Sequence, residues 1–190
     1  MNVAADTRRL FFALWPDPGV RQQLASVARQ WTRHPVAAAN LHMTLLFLGG
    51  RTARELDCFR EAAGNLQGET FDLQLDYLGN WAKPRIQWLG TSCIPPALPR
   101  LVDKLQQVLA PCGIEAGKQR FVPHVTLSRK EKSTRVKTGL QAVHWQVRGF
   151  VLAESVSTEG GIRYDVLERW PLGDVSRGQL CEAGTAGERG

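Results

Sequence analysis

Two short stretches constrain this chain more than any other. Leu41-His42-Met43-Thr44-Leu45-Leu46-Phe47-Leu48-Gly49 and Pro123-His124-Val125-Thr126-Leu127-Ser128-Arg129 both set His-x-Thr-Leu at the start of an apolar run. Such runs read as strands. Strand side chains alternate between faces, so each histidine and its threonine, two residues apart, point the same way. A helical pattern precedes each copy, so the chain carries an internal echo: helix, then His-x-Thr strand, once in each half. The two strands are expected to face each other across one active site.

The pairing exceeds what composition supplies. The chain has four histidines and eleven threonines. Two histidines with a threonine two places on would arise by accident in about 2% of such chains. The other two serve as controls: His34 has Val36 at that offset and His144 has Gln146. One pair alone reads as a core histidine bonded to its neighbour. Two copies with the same leucine after them read as a site.

The remaining elements follow from periodicity. Arg8 to Leu14 is a short apolar and aromatic run, hence a buried strand. Val20, Leu24, Val27, Ala28 and Trp31 recur at helical spacing, and His34-Pro35 ends that helix. Thr52 and Glu55 form a capping box ahead of Leu56, Phe59, Ala62 and Ala63. Phe71 to Tyr77 alternates strictly, as a half-buried strand does, and about Arg85 to Leu89 completes a hairpin after a turn at Asn80 to Pro84. Pro95-Pro96 opens a third helix with a stripe from Leu98 to Leu109. Val143 to Glu154 and Tyr164 to Trp170 are two further strands.

This order could suggest a parallel Rossmann-type sheet. However, the first strand lacks the glycine-rich phosphate turn that such a fold needs. A two-lobed α+β fold fits better, with a mostly antiparallel sheet in each lobe and helices outside. Residues 1–172 are expected to form this domain. Residues 173–190, rich in glycine and without periodicity, are expected to be a disordered tail.

Charge and cysteines bound the setting. The net charge of +6 favours a polyanionic partner. Cys58, Cys93, Cys112 and Cys181 are widely spaced with no C-x-x-C, so free thiols in a reducing, cytoplasmic compartment are expected. No apolar run approaches the ~20 residues of a membrane span.

Two facing histidines suit phosphodiester chemistry. Unperturbed imidazole titrates near ~6.5, so one can accept a proton while the other donates. Attacking and leaving oxygens lie on opposite sides of phosphorus, which calls for the acid and the base on opposite walls. Thr44 and Thr126 can donate to the non-bridging oxygens. Arg129 could add positive charge, although strict alternation points it away from His124 unless the strand ends there. Arg8, Arg9, Lys83, Arg85, Lys130, Lys132, Arg135 and Lys137 could form a basic rim for a longer polyanion. No carboxylate or cysteine accompanies either pair, so no metal and no cofactor is expected.

On these residues the chain resembles the two-histidine (2H) phosphoesterase superfamily, and within it the bacterial RNA 2′,3′-cyclic phosphodiesterases, also called 2′-5′ RNA ligases. Arg9 to Leu14, Leu41 to Gly49, Pro123 to Arg129, and Glu154-Ser155 through Tyr164 to Trp170-Pro171-Leu172 carry the resemblance. It implies a bilobal fold with pseudo-twofold symmetry and the active-site cleft between the lobes. It implies hydrolysis of RNA 2′,3′-cyclic phosphate ends, or of small cyclic nucleotides, to 2′-phosphomonoesters. His42 would be the proton donor to the leaving 3′ oxygen, His124 the base that activates water, and Arg129 a family feature after the second motif. The chain is expected to act as a monomer. The alternatives are 2′-5′ RNA ligation as the relevant direction, or a non-catalytic module that binds RNA ends or nucleotides.

Overall fold

The computed structural model describes residues 7–115, 121–129 and 139–173. The expected tail beyond Gly173 and the basic residues from Lys130 to Lys137 lie outside them.

The first strand, β1 (Arg8–Leu14), is central in a four-stranded sheet because both of its faces are apolar. Leu10, Phe12 and Leu14 enter the main core, while Phe11 and Ala13 enter a smaller cluster on the opposite face. The chain then turns into α1 (Pro18–Trp31), capped by the Asp17 carboxylate on Val20 N (2.9 Å) with proline in its first turn. After a 3-10 turn at Ala38–Asn40 comes β2 (Met43–Arg51), which pairs antiparallel with β1. The capping box opens α2 (Ala53–Gly64): Thr52 Oγ1 accepts from Glu55 N while Glu55 accepts from Thr52 N (2.8 Å).

The strand read from Phe71 to Tyr77 is two strands. β3 (Phe71–Leu75) and β4 (Tyr77–Trp81) belong to different sheets, and Asp76 is the joint. Its backbone N–H donates to Gly90 O (2.9 Å), and its carboxylate accepts from Ser92 N (2.8 Å) and Ser92 Oγ (2.6 Å). Periodicity continues across such a joint, so it cannot mark one. The hairpin forms between β4 and β5 (Ile86–Gly90), with Asn80 and Trp81 inside the strand rather than in the turn. α3 (Ala97–Leu109) follows, then β6 (His124–Ser128), which pairs with β5.

The strand read from Val143 to Glu154 also divides. β7 (Val143–Val147) pairs with β3, and β8 (Gly149–Thr158) pairs with β1 and with β9 (Gly161–Pro171). One lobe is therefore the sheet β2-β1-β8-β9, and the other holds β4-β5-β6 beside the pair β3-β7. Every pairing between these strands is antiparallel. The α+β reading holds, with the second lobe split into two sheets.

The helices interlock the lobes. α1 follows a strand of the first lobe but packs on β6 and β7 of the second, while α3 packs on β2. One continuous core results, running from Phe12 and Leu24 through Phe59 and Leu105 to Val125 and Phe150. The cysteines correct the thiol expectation: Cys58 of α2 and Cys112, just beyond α3, form a disulfide. Wide sequence spacing hid a pair that two packed helices bring to a Cα separation of 5.9 Å. No helix is long and apolar enough to cross a membrane among the described residues.

Candidate active site

Each motif is held by its strand and aimed by one backbone carbonyl. Leu41, Met43 and Leu45 are buried in the core, which turns His42 and Thr44 to the opposite face. Val125 and Leu127 do the same for His124 and Thr126. His42 Nδ1 lies 2.7 Å from Asn40 O, and His124 Nδ1 lies 2.8 Å from Val122 O. A carbonyl can only accept, so both Nδ1 atoms carry a proton and both Nε2 atoms are left for chemistry. The arrangement is the same in both copies, with the carbonyl two residues before the histidine.

The two motifs are also tied together. Val36 N donates to Leu127 O (2.8 Å), and Pro35 bridges to Ser128, so the segment leading to His42 runs along the strand that carries His124. The five residues singled out from sequence meet at one cavity of about 690 Å³: His42, Thr44, His124, Thr126 and Arg129 all line it. That size suits a nucleotide-scale ligand. Arg129 reaches it because β6 ends at Ser128, which releases the next residue from alternation.

Sequence reasoning missed the aromatic setting. Trp15 stacks on His42 (centroids 5.6 Å, 16° between planes), Tyr164 meets it edge-on at 4.8 Å, and Phe11 lies 5.0 Å away. Trp81 meets His124 edge-on at 4.7 Å. The signal was present for Phe11 and Trp15: odd positions in β1 and just past its end share the face of its neighbour's histidine. Tyr164 is distant in sequence and needed the β8–β9 pairing. Asn40 does a second job, since its side chain donates to Ile162 O (2.7 Å) and accepts from Tyr164 N (3.3 Å), fastening the first motif to β9. From α3, Val102 and Gln106 complete the wall, and Phe47 stands at the cavity 74% exposed.

Electrostatics separate the copies. Burial pushes the His42 imidazole down to about 4; the Asn40 carbonyl opposes this, and the charges of Arg129 and His124 add to it. His124 is also lowered, chiefly by burial and further by Arg129, with the Val122 carbonyl opposing. Thr44 Oγ1 lies 3.1 Å from His42 Nε2, so in the neutral tautomer that nitrogen accepts from the hydroxyl. The residues lining the cavity include no carboxylate and no thiol. Among the described residues no group of three or more His, Cys, Asp or Glu could hold a metal ion.

A pair of imidazoles, two hydroxyls and a guanidinium around one nucleotide-scale cavity is suited to in-line displacement at phosphorus. Similar proteins point the same way. The chain is 34% identical over 174 residues to the RNA 2′,3′-cyclic phosphodiesterase of Escherichia coli, covering 88% of this chain and 98% of that protein. It is 34% identical over 182 residues to the enzyme of the same name from Thermus thermophilus, covering 86% and 90%. The solved structure of E. coli LigT complexed with 3′-AMP superposes with a TM-score of 0.76 at 32% identity, over 87% of this chain and 98% of that one. Residues 15–158 match the 2′-5′ RNA ligase superfamily, and the chain belongs to that family.

Proposed function

We propose that the protein hydrolyses 2′,3′-cyclic phosphate ends of RNA to 2′-phosphomonoesters, without metal or cofactor. The observation that carries this reading is the convergence of two His-x-Thr pairs, each with Nε2 free of backbone partners, on one cavity shared with Arg129. The names of the relatives support it.

The cyclic phosphate sits between the two walls, with its charge against Arg129. Water approaches phosphorus opposite the 3′ oxygen, and His124 Nε2 takes its proton as the new P–O bond forms. The P–O3′ bond breaks, and the 3′ oxygen takes a proton from His42 Nε2. The product is a 2′-phosphate and a free 3′ hydroxyl. Thr44 and Thr126 donate to the non-bridging oxygens as charge gathers there.

This assignment requires His42 to be protonated when substrate is bound, whereas the empty site keeps it neutral near pH 7. The phosphodiester anion supplies the difference. Placed beside both imidazoles, it raises their proton affinity and offsets Arg129. The assignment therefore holds where the bound anion raises His42 far enough for it to carry the proton while His124 stays neutral. The 5′ hydroxyl of a second RNA in place of water, deprotonated by His124 as the P–O3′ bond breaks and the 3′ oxygen takes the proton of His42, would give a 2′-5′ link, so ligation is the same displacement with a different nucleophile. We further infer that the protein acts as a monomer and, with an RNA substrate, in the cytoplasm.

The test is a short RNA ending in 2′,3′-cyclic phosphate, incubated in EDTA. Full turnover to a 2′-phosphate is expected. Loss of activity with chelator would refute the metal-free route, and release of a 3′-phosphate would refute the assigned leaving group.

A further inference from the structure

An aromatic surface adjoins the second histidine outside the reacting centre. On the open face of β4-β5-β6, Tyr77 and His124 flank Gly90 in one register row, and Gly79 pairs with Trp88. The Trp88 ring fills the space over both glycines. A β-carbon at Gly90 would lie 2.6 Å from Trp88 Cζ3, and one at Gly79 would collide with the same ring. Two glycines therefore let an indole lie down on the sheet where any other residue would lift it. Three of its neighbours are aromatic, Tyr77 at 5.7 Å, Trp81 at 5.2 Å and His124 at 6.0 Å, and its register partner on β6 is Thr126.

This surface is not core. Leu89, Val125 and Leu127 bury the opposite face of the same strands, while Tyr77 is 55% exposed. Trp81 and Trp88 beside it are half-buried, so the row presents ring surface to solvent, and two observations point to what would cover it. Trp81 belongs both to this row and to the wall of the reaction cavity, so the row continues the site that takes the RNA end. The hairpin tip next to Trp81 carries Lys83 and Arg85, both exposed and without ion pairs among the described residues. Flat rings flanked by cations fit bases and phosphates of a single strand.

We propose that Tyr77, Trp88 and Trp81 form a base-stacking platform for nucleotides beyond the cyclic end, with Lys83 and Arg85 on their phosphates. It makes single-stranded RNA, rather than a free cyclic mononucleotide, the preferred substrate. This rests on reading the cavity as an RNA-end site.

The experiment compares adenosine 2′,3′-cyclic phosphate with a pentanucleotide ending in the same group. The unmodified protein should show a pentamer KM about tenfold below that of the mononucleotide. Tyr77→Ala, and separately the Lys83→Glu/Arg85→Glu pair, should raise the pentamer KM about tenfold with the mononucleotide KM within about twofold. Gly79→Ala should raise the pentamer KM too, by lifting the Trp88 ring without removing an aromatic group. Equal KM values for both lengths, or equal rises for both substrates in Tyr77→Ala, would overturn the platform. Binding of an unreactive pentamer bearing a 3′-phosphate, followed by quenching of tryptophan fluorescence, separates the two readings. If it binds and Tyr77→Ala weakens it while no cyclic phosphate is hydrolysed, the platform stands and the proposed activity fails. If cyclic mononucleotide is hydrolysed but Tyr77→Ala leaves pentamer binding intact, the platform fails alone.

Discussion

The two motifs have the same local geometry and different surroundings. His42 lies among Phe11, Trp15 and Tyr164, and its Nε2 is engaged by Thr44. His124 meets the edge of Trp81 and stands beside an open sheet face, with no hydrogen bond at Nε2 among the described residues. Four residues of sequence specify where each imidazole points. The neighbours, contributed by distant strands, specify how readily it takes a proton. A repeated motif thus need not have repeated chemistry, and an acid and a base can come from one pattern placed in two settings.

The largest expected effect comes from removing either imidazole. His42→Ala and His124→Ala should each lower kcat by roughly 10²–10⁴-fold with far-UV circular dichroism unchanged. Added imidazole sharpens the contrast: it should restore more activity to His124→Ala, whose site is more open, than to His42→Ala. Equal rescue would break it. Next come the hydroxyls. Thr44→Val and Thr126→Val should each cost about 10²-fold in kcat if both donate to developing charge. A loss confined to Thr44→Val would mean that only the first threonine faces the phosphate.

The pH profiles should differ by a smaller margin. kcat/KM reports the free protein, in which both imidazoles are lowered, and kcat reports the complex, in which the proposed phosphate contact would raise them. Both profiles should be bell-shaped, with the kcat/KM bell displaced to lower pH. As the two groups are coupled, the limbs belong to the pair. Coincident bells would show that the bound anion does not change the histidines. Trp15→Leu, which removes the stacked wall of His42, should move the kcat/KM bell upward by a fraction of a unit and leave the pentamer-to-mononucleotide KM ratio alone. A change in that ratio would place Trp15 on the RNA path.

The smallest expected effect is on stability. Between pH 6.5 and about pH 4 the unfolded chain binds a proton at residue 42 that the folded chain refuses. The lowered imidazole therefore favours the fold fully above pH 6.5, and that contribution is lost as pH falls through the window. The urea midpoint should fall over this range less in His42→Gln than in the unmodified protein. Parallel pH dependence in both would remove His42 from the account.

Much of this was legible in sequence, for identifiable reasons. His42 and Thr44 could be placed because alternation is local, and α2 because a capping box is four residues long. The division at Asp76 was not legible, since Phe71 to Tyr77 alternates without a break and only the Asp76–Ser92 and Asp76–Gly90 hydrogen bonds end it. Arg148 likewise separates β7 from β8 within one apolar run, and the two halves go to different lobes. Tyr164 became part of the setting of His42 through a register that no local pattern encodes.

The Cys58–Cys112 bridge spans 54 residues of sequence and anchors the end of α3, the helix whose Val102 and Gln106 form one wall of the cavity. Closing a loop of that length restricts the unfolded chain by about 4 kcal/mol in the chain-entropy treatment. The cavity itself has no sulfur. Reductant should therefore leave the rate per folded molecule intact while lowering the fraction of molecules that are folded. Oxidation state would then set how much of the protein is folded at any moment, independently of how it treats an RNA end.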